Sequence, residues 1–339
     1  MTSFKDIFGQ DHAIEQIVGA WRADRLPHGL IFAGPTGVGK KLTANTLGGL
    51  FLCEKPHDDQ PCGKCDSCRV YPSGNHPDYH YIYRQLIRIE KSDVKARDLS
   101  IDVIRPYLLE PASRKPAMNR GKVFVIEEAD LMSAGAQNSM LKTLEEPFGR
   151  ALIILLTNSP DALLPTIRSR CQLVRFMSLP ADKVKSELAR RGYAAQDALE
   201  AAVLSEGSLG RAISFIDQGV VAATRELRQR LDALNAGQGC GDMSDWLRDA
   251  AKTYAAKQLE IDDKASEDQM TREGLALYLK LMSQYFRRRL AVSGESAMEA
   301  FCGGIDAIVQ AEGFIDSNVN IVLILQALAV RLERVFRVV

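Results

Sequence analysis

The chain lacks several features that would mark a membrane protein or a simple nucleic-acid-binding protein. Lys plus Arg and Asp plus Glu both number 43, so there is no excess charge. No overall positive field therefore draws the chain onto nucleic acid or an anionic membrane, and any DNA contact must be local or shared with partners. No apolar run approaches the ~20 residues of a membrane helix, and the first residues, MTSFKDIFGQ, show no signal pattern. These absences predict a cytoplasmic protein.

Internal repeats at solenoid periods and low-complexity segments are also missing from the sequence. The chain has 339 residues, of which 46% are hydrophobic and 25% charged. This length exceeds one ordinary hydrophobic core, and the composition is that of a folded protein. Two or three domains are therefore expected.

Short apolar runs predict the strands of an α/β core. The runs at 29–33, 122–126 and 151–156 show no alternation, as expected for parallel strands buried on both faces. A Gly-rich turn and a segment of helical spacing follow the first run, and a helix is expected at 136–144. This alternation predicts a doubly wound sheet with its ligand at the carboxyl ends of the strands.

The strand signals stop near Phe176, and helical patterns follow. Three short helices are expected at 182–191, 197–205 and 208–217. Longer helical periods run from about residue 222 to the end, with breaks at 237–239 and 293–295. The fold class is therefore an α/β P-loop core with a parallel sheet (1–178), a small helical lid (179–221) and an all-α C-terminal domain (222–339).

A phosphate-binding loop is predicted between the first strand and the first long helix. The segment Gly34-Pro35-Thr36-Gly37-Val38-Gly39-Lys40 matches the P-loop pattern up to its lysine. Its glycines let backbone N–H groups converge on phosphate oxygens, while Lys40 and the helix N-terminus supply positive charge. The candidate nucleotide-binding residues of the loop are Gly34, Thr36, Gly37, Val38, Gly39 and Lys40. The alternative is a Gly-rich turn that binds nothing.

Two positions near this loop depart from what hydrolysis needs. Lys41 stands where a Ser or Thr normally ligates magnesium, so a metal ligand is missing. The strand at 122–126 ends in Glu127-Glu128, where a Walker B strand ends in Asp for the metal shell and Glu to orient water. Glu128 keeps the catalytic position, whereas Glu127 is one methylene too long and is positioned to pair with Lys41 across the magnesium site. A solvated strand end is the alternative interpretation of this acidic pair. Magnesium binding is not favoured, and any hydrolysis should be weak or absent.

Four of the seven cysteines, Cys53, Cys62, Cys65 and Cys68, lie within sixteen residues. Disulfides are not expected in a reducing compartment, and this spacing lets four thiolates close tetrahedrally on zinc, with Gly63 easing the turn. Four protein ligands leave no open coordination position, so a structural Zn²⁺ module is predicted at 53–68. Reduced cysteines in a loop are the alternative. Candidate substitutes for Cys53 as a ligand are His57, His76 and His80.

Five stretches of the sequence together resemble the AAA+ subunits of the bacterial clamp loader. They are Phe8-Gly9-Gln10, Leu26-Pro27-His28, the loop at 34–40, the segment at 138–147 (NSMLKTLEEP) and Ser169-Arg170-Cys171. The resemblance covers about residues 1–220, and the C-terminal third matches only in length and helical character. It implies an AAA+ core and a helical collar domain. It also implies a hetero-oligomer with motor subunits and a delta subunit that acts on the sliding clamp and primed DNA.

The resemblance also implies roles for three further residues. In that family a Ser-Arg-Cys motif lends its arginine to the ATP of a neighbouring subunit, and Arg170 is the matching residue. A plain surface arginine beside Arg168 is the alternative. Asn158 takes the place of the sensor that bonds the γ-phosphate, and its amide can still donate a hydrogen bond. The motor subunits carry Arg directly after Gly-Ser-Leu, where this chain has Gly210, and Arg211 follows ~100° further around the helix.

An altered nucleotide site beside an intact finger motif is more similar to the delta-prime class of subunits than to the motor class. The long motor form also carries an extra C-terminal region, for which 339 residues leave little room. The expected function is a non-motor subunit of the DNA-directed DNA polymerase III holoenzyme. It would assist ATP-dependent clamp loading, with ATP or ADP as a candidate ligand. The alternatives are an autonomous AAA+ ATPase, either the motor or a helicase-like enzyme, and a general protein-remodelling ATPase.

Three consecutive arginines, Arg287-Arg288-Arg289, do not predict a DNA patch. Three successive residues span most of a helix circumference and cannot form one face. A solvated role or an interface role is expected for them instead.

Overall fold

The computed structural model describes most of the chain, which forms two compact units. The described residues are 3–90, 98–118, 120–261, 266–292, 294–315 and 319–336. The core unit consists of Met1–Val184 and Glu206–Arg211, and the helical unit of Lys185–Ser205 and Ala212–Val339. The division predicted from the sequence, with boundaries after 178 and 221, stays a prediction.

A parallel sheet forms the centre of the core unit. Its strands within the described residues are β1 (Gly29–Ala33), β2 (Tyr79–Ile82), β3 (Lys122–Ile126), β4 (Ala151–Thr157) and β5 (Gln172–Arg175). They lie in the order β2-β3-β4-β1-β5, and every neighbouring pair is parallel. The carboxyl ends of β3, β4 and β1 therefore lie side by side at one edge of the sheet.

The strands that the sequence predicted are more deeply buried than the strands that it did not predict. Every residue of β1, β3 and β4 is buried, which confirms the strands expected from unbroken apolar runs. β2 and β5 were not predicted from the sequence. They are the edge strands of the sheet, they are only partly buried, and their sequences YHYI and QLVR contain no apolar run.

Helices cover both faces of this sheet. The α-helices assigned to the core unit are α1 (Asp11–Arg22), α2 (Lys40–Leu52), α3 (Asp66–Val70), α4 (Ile87–Glu90), α5 (Ile101–Ile104), α6 (Glu110–Ala112), α7 (Ala134–Glu145) and α8 (Pro165–Arg168). One face packs against α1 and α2 through residues such as Ile17 and Leu47, and the other against α5 and α7 through Val103 and Met140. The predicted helix at 136–144 is confirmed as α7, whose first turn is capped by the Ser133 hydroxyl.

The remaining helices continue into the helical unit. They are α9 (Ala181–Arg190), α10 (Ala195–Leu204), α11 (Leu209–Asp217), α12 (Val220–Asn235), α13 (Met243–Ile261), α14 (Glu267–Leu290), α15 (Glu295–Ile315) and α16 (Ile321–Phe336). The three short helices expected between 182 and 217 are thus confirmed as α9 to α11. Phe286 of α14 contacts Phe301 and Phe336, with ring centroids 6.1 and 5.3 Å away, so α14 shares one aromatic cluster with α15 and α16. None of the described helices is long and apolar enough to cross a membrane.

Candidate nucleotide and metal sites

The glycine-rich loop follows β1 directly, and α2 begins at its last residue, Lys40. Gly37 and Gly39 adopt φ values of 77° and 111°, a region that side chains with a Cβ rarely enter. The loop therefore lies at the carboxyl edge of the sheet and at the N-terminus of a helix. This is the position in which backbone N–H groups bind phosphate in P-loop proteins.

The ammonium group of Lys40 is already bonded within the protein. It donates to the carbonyl oxygens of Gly34 and Pro35, the latter at 2.8 Å, and to the Oδ1 atom of Asn158 at 2.9 Å. Asn158 also accepts a hydrogen bond of 3.2 Å from the Thr36 hydroxyl. These contacts use all three donors of the ammonium group. A phosphate entering the loop would have to replace at least one of them.

Burial also affects the charge of Lys40. The side chain is almost wholly enclosed, and desolvation lowers the pKa of Lys40 to about 8, although Asp130 and Glu127 both favour the charged form. Asp130 lies at the same edge of the sheet and accepts a hydrogen bond of 3.2 Å from the backbone N–H of Asn158. The loop lysine is therefore less firmly cationic than an exposed lysine.

Lys41 lies beside Glu127, as the sequence suggested. Its Nζ atom is 3.6 Å from the carboxylate of Glu127 and 4.2 Å from the ring centroid of Tyr81. The hydroxyl of Tyr81 donates to the same carboxylate. A cationic ammonium group, held by a carboxylate and an aromatic face, therefore stands next to the residue that would have served the magnesium shell.

Glu128, the candidate for orienting water, is also engaged in an ion pair. Its carboxylate lies 2.8 Å from Nε of Arg84, and its backbone adopts φ 52° and ψ 44°. Burial raises the pKa of Glu128, and the positive charge of Arg84 opposes that shift. The carboxylate of Glu128 is therefore oriented by Arg84, and its role in orienting water stays a prediction.

The beginning of α11 packs directly onto the phosphate loop, within the core unit. The backbone N–H of Gly210 donates to the carbonyl oxygen of Gly37 at 3.0 Å. A Cβ atom at Gly210 would lie 2.7 Å from that oxygen, so the position occupied by Arg in motor-type sequences has no room for a side chain here. Arg211, one place later, pairs with Glu206 at 3.5 Å, and its backbone N–H donates to the Ser208 hydroxyl at 3.2 Å.

Arg170 lies at the amino ends of β1 and β5, whereas the phosphate loop follows the carboxyl end of β1. It lies two residues before the start of β5, and its carbonyl oxygen lies beside Gly29, the first residue of β1. Its guanidinium forms an ion pair with Glu145 through Nε at 2.8 Å and through Nη2, and Nη1 donates to the Thr166 carbonyl at 3.0 Å. The side chain is 34% exposed. The finger candidate is therefore oriented but accessible from the surface.

The four clustered cysteines form a compact group of ligand atoms. The Sγ atoms of Cys53, Cys62, Cys65 and Cys68 all lie within 4.8 Å of one another. Backbone N–H groups point at the sulfurs, for example that of Cys62 at Cys53 Sγ (3.2 Å) and that of Cys65 at Cys62 Sγ (3.4 Å). Hydrogen bonds from backbone N–H groups lower the pKa of Cys62 to about 6, whereas burial raises the pKa of Cys53 and Cys68. The arrangement fits a four-thiolate metal site.

The histidines considered as substitutes for Cys53 are engaged elsewhere. His76 is buried and shares hydrogen bonds with the Ser67 hydroxyl and the backbone N–H of Asp78, at 2.9 and 3.1 Å. His57 lies 3.1 Å from the neighbouring carboxylate of Asp58, and His80 stacks on Phe124. Among the described residues, the group of potential ligands contains Cys53 and none of these histidines.

Comparison with known proteins identifies the family. The sequence profile of a family described as DNA polymerase III, delta subunit, matches residues 9–180, about half of the chain. The chain belongs to this family. The match includes the phosphate loop, the cysteine cluster, the Glu127-Glu128 pair, Asn158 and Arg170, and it ends before Arg211.

Curated relatives carry related descriptions. DNA polymerase III subunit delta' of Escherichia coli (strain K12) is 32% identical over 218 residues, which is 64% of this chain and 63% of that protein. Subunit delta' of Bacillus subtilis (strain 168) is 34% identical over 179 residues, 53% of this chain and 51% of its own length. Subunit tau of E. coli is 32% identical over 227 residues, 65% of this chain and 33% of its own length. The matches therefore span less than two thirds of each relative.

Among solved structures, a DNA polymerase III gamma subunit-related protein from Thermotoga maritima aligns over 96% of this chain and 99% of its own. The identity is 19% and the TM-score is 0.43.

Three residues that shape the site were missed at the level of sequence. Tyr81 and Arg84 hold the two glutamates of the acidic pair, and both lie on or just after β2, a strand without an apolar run. Glu145 holds Arg170, although it belongs to the quoted NSMLKTLEEP segment. Membership of that segment was a usable signal for Glu145, whereas nothing local to β2 distinguishes Tyr81 or Arg84.

Proposed function

We propose that this chain is a non-motor, delta-prime-type subunit of a DNA polymerase III clamp loader. In this proposal it assembles with motor subunits and a delta subunit, and it assists ATP-dependent loading of the sliding clamp onto primed DNA in the cytoplasm. The observation that carries the proposal is a contrast between two sites. The Lys41–Glu127 ion pair lies where magnesium would bind, while Arg170 in its Ser-Arg-Cys motif remains at the surface.

The position of Arg170 favours action on a nucleotide of another chain. Arg170 lies beside the first residue of β1, and the phosphate loop follows the last residue of the same strand. At ~3.3 Å per residue the strand separates the two by roughly 15 Å. An arginine finger must contact the transferring phosphoryl group, so a loop on a neighbouring subunit is the better candidate.

Glu145 would keep this arginine ready between encounters. Its carboxylate binds the guanidinium from one side, which fixes the orientation of a long side chain. Phosphate oxygens form bidentate, charge-assisted hydrogen bonds with arginine, so an incoming γ-phosphate can compete for the same donors. We therefore assign Glu145 a positioning role and Arg170 the contact with phosphate.

The cysteine cluster supports a structural zinc ion as part of the same proposal. A tetrahedron with Zn–S bonds of about 2.3 Å has sulfur atoms about 3.8 Å apart. The Sγ atoms of Cys62 and Cys68 are 3.9 Å apart. Cys53, Cys62, Cys65 and Cys68 would supply all four ligands, and the ion would join the end of α2 to α3 without taking part in chemistry.

Arg170→Ala in a reconstituted loader tests the proposed function. We expect DNA-stimulated ATP hydrolysis by the assembly to fall by ~10³-fold, as for other fingers supplied in trans, while the subunit still co-elutes with its partners. Arg168→Ala is the matched control, because Arg168 lies two positions away, is also a surface arginine and pairs with Asp161 instead. Unchanged turnover in the Arg170 variant, or equal losses in both variants, would remove Arg170 from the catalytic role.

A further inference from the structure

A groove in the helical unit is lined by α10, α12 and α14. Its volume is about 490 Å³, which is within the range of pockets that hold ligands or peptide side chains. Every residue that lines it belongs to the helical unit, so the groove is complete without the core unit. It contains none of the nucleotide, finger or cysteine residues described above.

Several of the aliphatic side chains that line the groove remain exposed to solvent. Leu199 and Val203 of α10 are 49% and 40% exposed, and Val292, just after α14, is 81% exposed. Leu199 and Val203 are four residues apart and therefore lie on the same face of their helix. Apolar side chains that line one concave surface together are a typical feature of protein interaction sites.

The rim of the groove is basic. Arg228 of α12 and Arg288 and Arg289 of α14 all line it, and all three are exposed. Asp232 binds Arg289, but among the described residues neither Arg228 nor Arg288 forms an ion pair with a carboxylate. Two arginines on different helices therefore present their charge to whatever enters the groove.

Ion pairs fix the walls of the groove. Arg225 of α12 binds Glu200 of α10 at 2.9 Å and also Asp197, which joins these two helices. On α14, Arg289 forms an ion pair with Asp232 of α12, and the Tyr285 hydroxyl donates a hydrogen bond to the same carboxylate. Glu200 and Asp232 are thereby neutralised, and the groove does not depend on a ligand for its shape.

This combination of an aliphatic lining and a basic rim favours a protein segment over nucleic acid. Single-stranded nucleic acid is normally bound by stacking of bases on aromatic side chains. Here the exposed apolar lining is aliphatic, and the hydroxyl of the one aromatic lining residue among the described residues, Tyr285, is bonded to Asp232. Aliphatic side chains below a basic rim complement a segment that carries both apolar residues and carboxylates.

We propose that this groove binds an acidic amphipathic segment of a partner protein. Its apolar side chains contact Leu199, Val203 and Val292, and its carboxylates pair with Arg228 and Arg288. The tandem arginines of α14 then have separate roles, because Arg288 and Arg289 line the groove and Arg287 does not. The inference is independent of the proposed role in clamp loading.

The test uses the full chain and a fluorescein-labelled synthetic peptide. The peptide has ~12 residues, about three helical turns, with Leu and Phe at positions i, i+3, i+4 and i+7 and with Asp or Glu between them. One control peptide keeps the acidic residues and replaces the apolar ones by Ser. A second control keeps the apolar residues and replaces the acids by Asn and Gln. Binding is measured as fluorescence anisotropy.

We expect the acidic amphipathic peptide to bind at least about tenfold more tightly than either control peptide. Leu199→Ser and Arg288→Glu should each weaken its binding about tenfold, whereas Arg287→Glu should change it less than about twofold. Both substituted positions are exposed, and Arg287 is the matched control on the same helix. Thermal melting of each variant checks that the fold is retained.

Three results would overturn the inference. The first is that all three peptides bind equally tightly, or that none of them binds. The second is equal weakening by Arg287→Glu and Arg288→Glu, which would reduce the effect to net charge. The third is competition by a single-stranded oligonucleotide whose own binding is insensitive to Leu199→Ser, which would assign the rim to nucleic acid.

Discussion

The side chain at position 41 affects whether a magnesium ion can lie next to the phosphate loop. In P-loop proteins a hydroxyl at this position ligates the metal, and Lys41 brings an ammonium group in its place. A like charge at ~4 Å repels a divalent cation by several kcal/mol at an intermediate dielectric, although exposure of the lysine to solvent screens part of this. The ion pair also engages the carboxylate of Glu127, which is the second group that would ligate magnesium. We therefore expect phosphate binding and hydrolysis to be separable in this chain.

We expect the purified chain to show no useful single-turnover hydrolysis of ATP with magnesium. Lys41→Thr restores a hydroxyl ligand, and Lys41→Thr/Glu127→Asp also restores the shorter carboxylate, so activity should rise only in these variants. Rapid quench with labelled ATP measures the step directly. Lys40→Met in the double variant is the control, because it removes the loop lysine and should abolish any gain. Robust turnover by the unmodified chain would contradict the non-motor assignment and favour an autonomous ATPase.

At the scale of secondary-structure elements, the first turn of α11 acts as a cover on the phosphate loop. Gly37 lies so close to the start of α11 that neither Gly37 nor Gly210 has room for a Cβ atom. A Cβ at Gly37 would lie 2.4 Å from the Ser208 hydroxyl, and one at Gly210 would lie 2.7 Å from the Gly37 oxygen. The contact depends on two glycines 173 positions apart, and it holds the loop together with the Lys40 hydrogen bonds.

Gly210→Ala should destabilise the core unit by about 1–3 kcal/mol, since the added methyl group overlaps a backbone oxygen that cannot move freely. Gly135→Ala is the matched control. Gly135 also lies in the first turn of a helix, but a Cβ atom there meets no other atom within 4 Å. The control should be neutral or stabilising by up to about 1 kcal/mol, because alanine favours helix. Thermal melting of both variants measures the difference, and equal midpoints would show that the contact does not constrain the loop.

At the scale of the whole molecule, the candidate nucleotide and metal sites and the proposed docking groove lie in different units of the chain. The core unit contains the phosphate loop, the acidic pair, Arg170 and the cysteine cluster, and the helical unit contains the apolar groove with its basic rim. The balanced net charge is consistent with this division, because each charged site is local.

We expect one equivalent of zinc per chain after washing with a weak chelator, as measured by elemental analysis. Cys65→Ser should remove the metal, whereas Cys302→Ser should not, because Cys302 is exposed and lies outside the cluster. Loss of zinc should increase hydrogen exchange in residues 53–76, while β1 and β4 stay protected, because the module is an insertion after α2. Substantially less than one equivalent in the unmodified chain, or collapse of protection in β4, would contradict this assignment.

Local patterns were sufficient for much of the architecture. Unbroken apolar runs predicted β1, β3 and β4, because a strand buried on both faces has no polar side to show. The glycine pattern predicted the loop, and the cysteine spacing predicted a four-member group, because both depend on short stretches of backbone. The departures at Lys41 and Glu127 were also visible in the sequence, and their ion pair joins the first turn of α2 to the residue that follows β3.

Other features were decided only by the tertiary structure. The edge strand β2 brings Tyr81 to Glu127, and the turn that follows it brings Arg84 to Glu128, although neither the strand nor these contacts have a local signature. The contact of Gly210 with Gly37 and the groove between α10, α12 and α14 join segments far apart in the chain. Sequence alone determined which segments bury their side chains, because burial follows local hydrophobicity. The packing of those segments determined which polar groups meet, because ion pairs and close backbone contacts depend on distances between elements rather than within them.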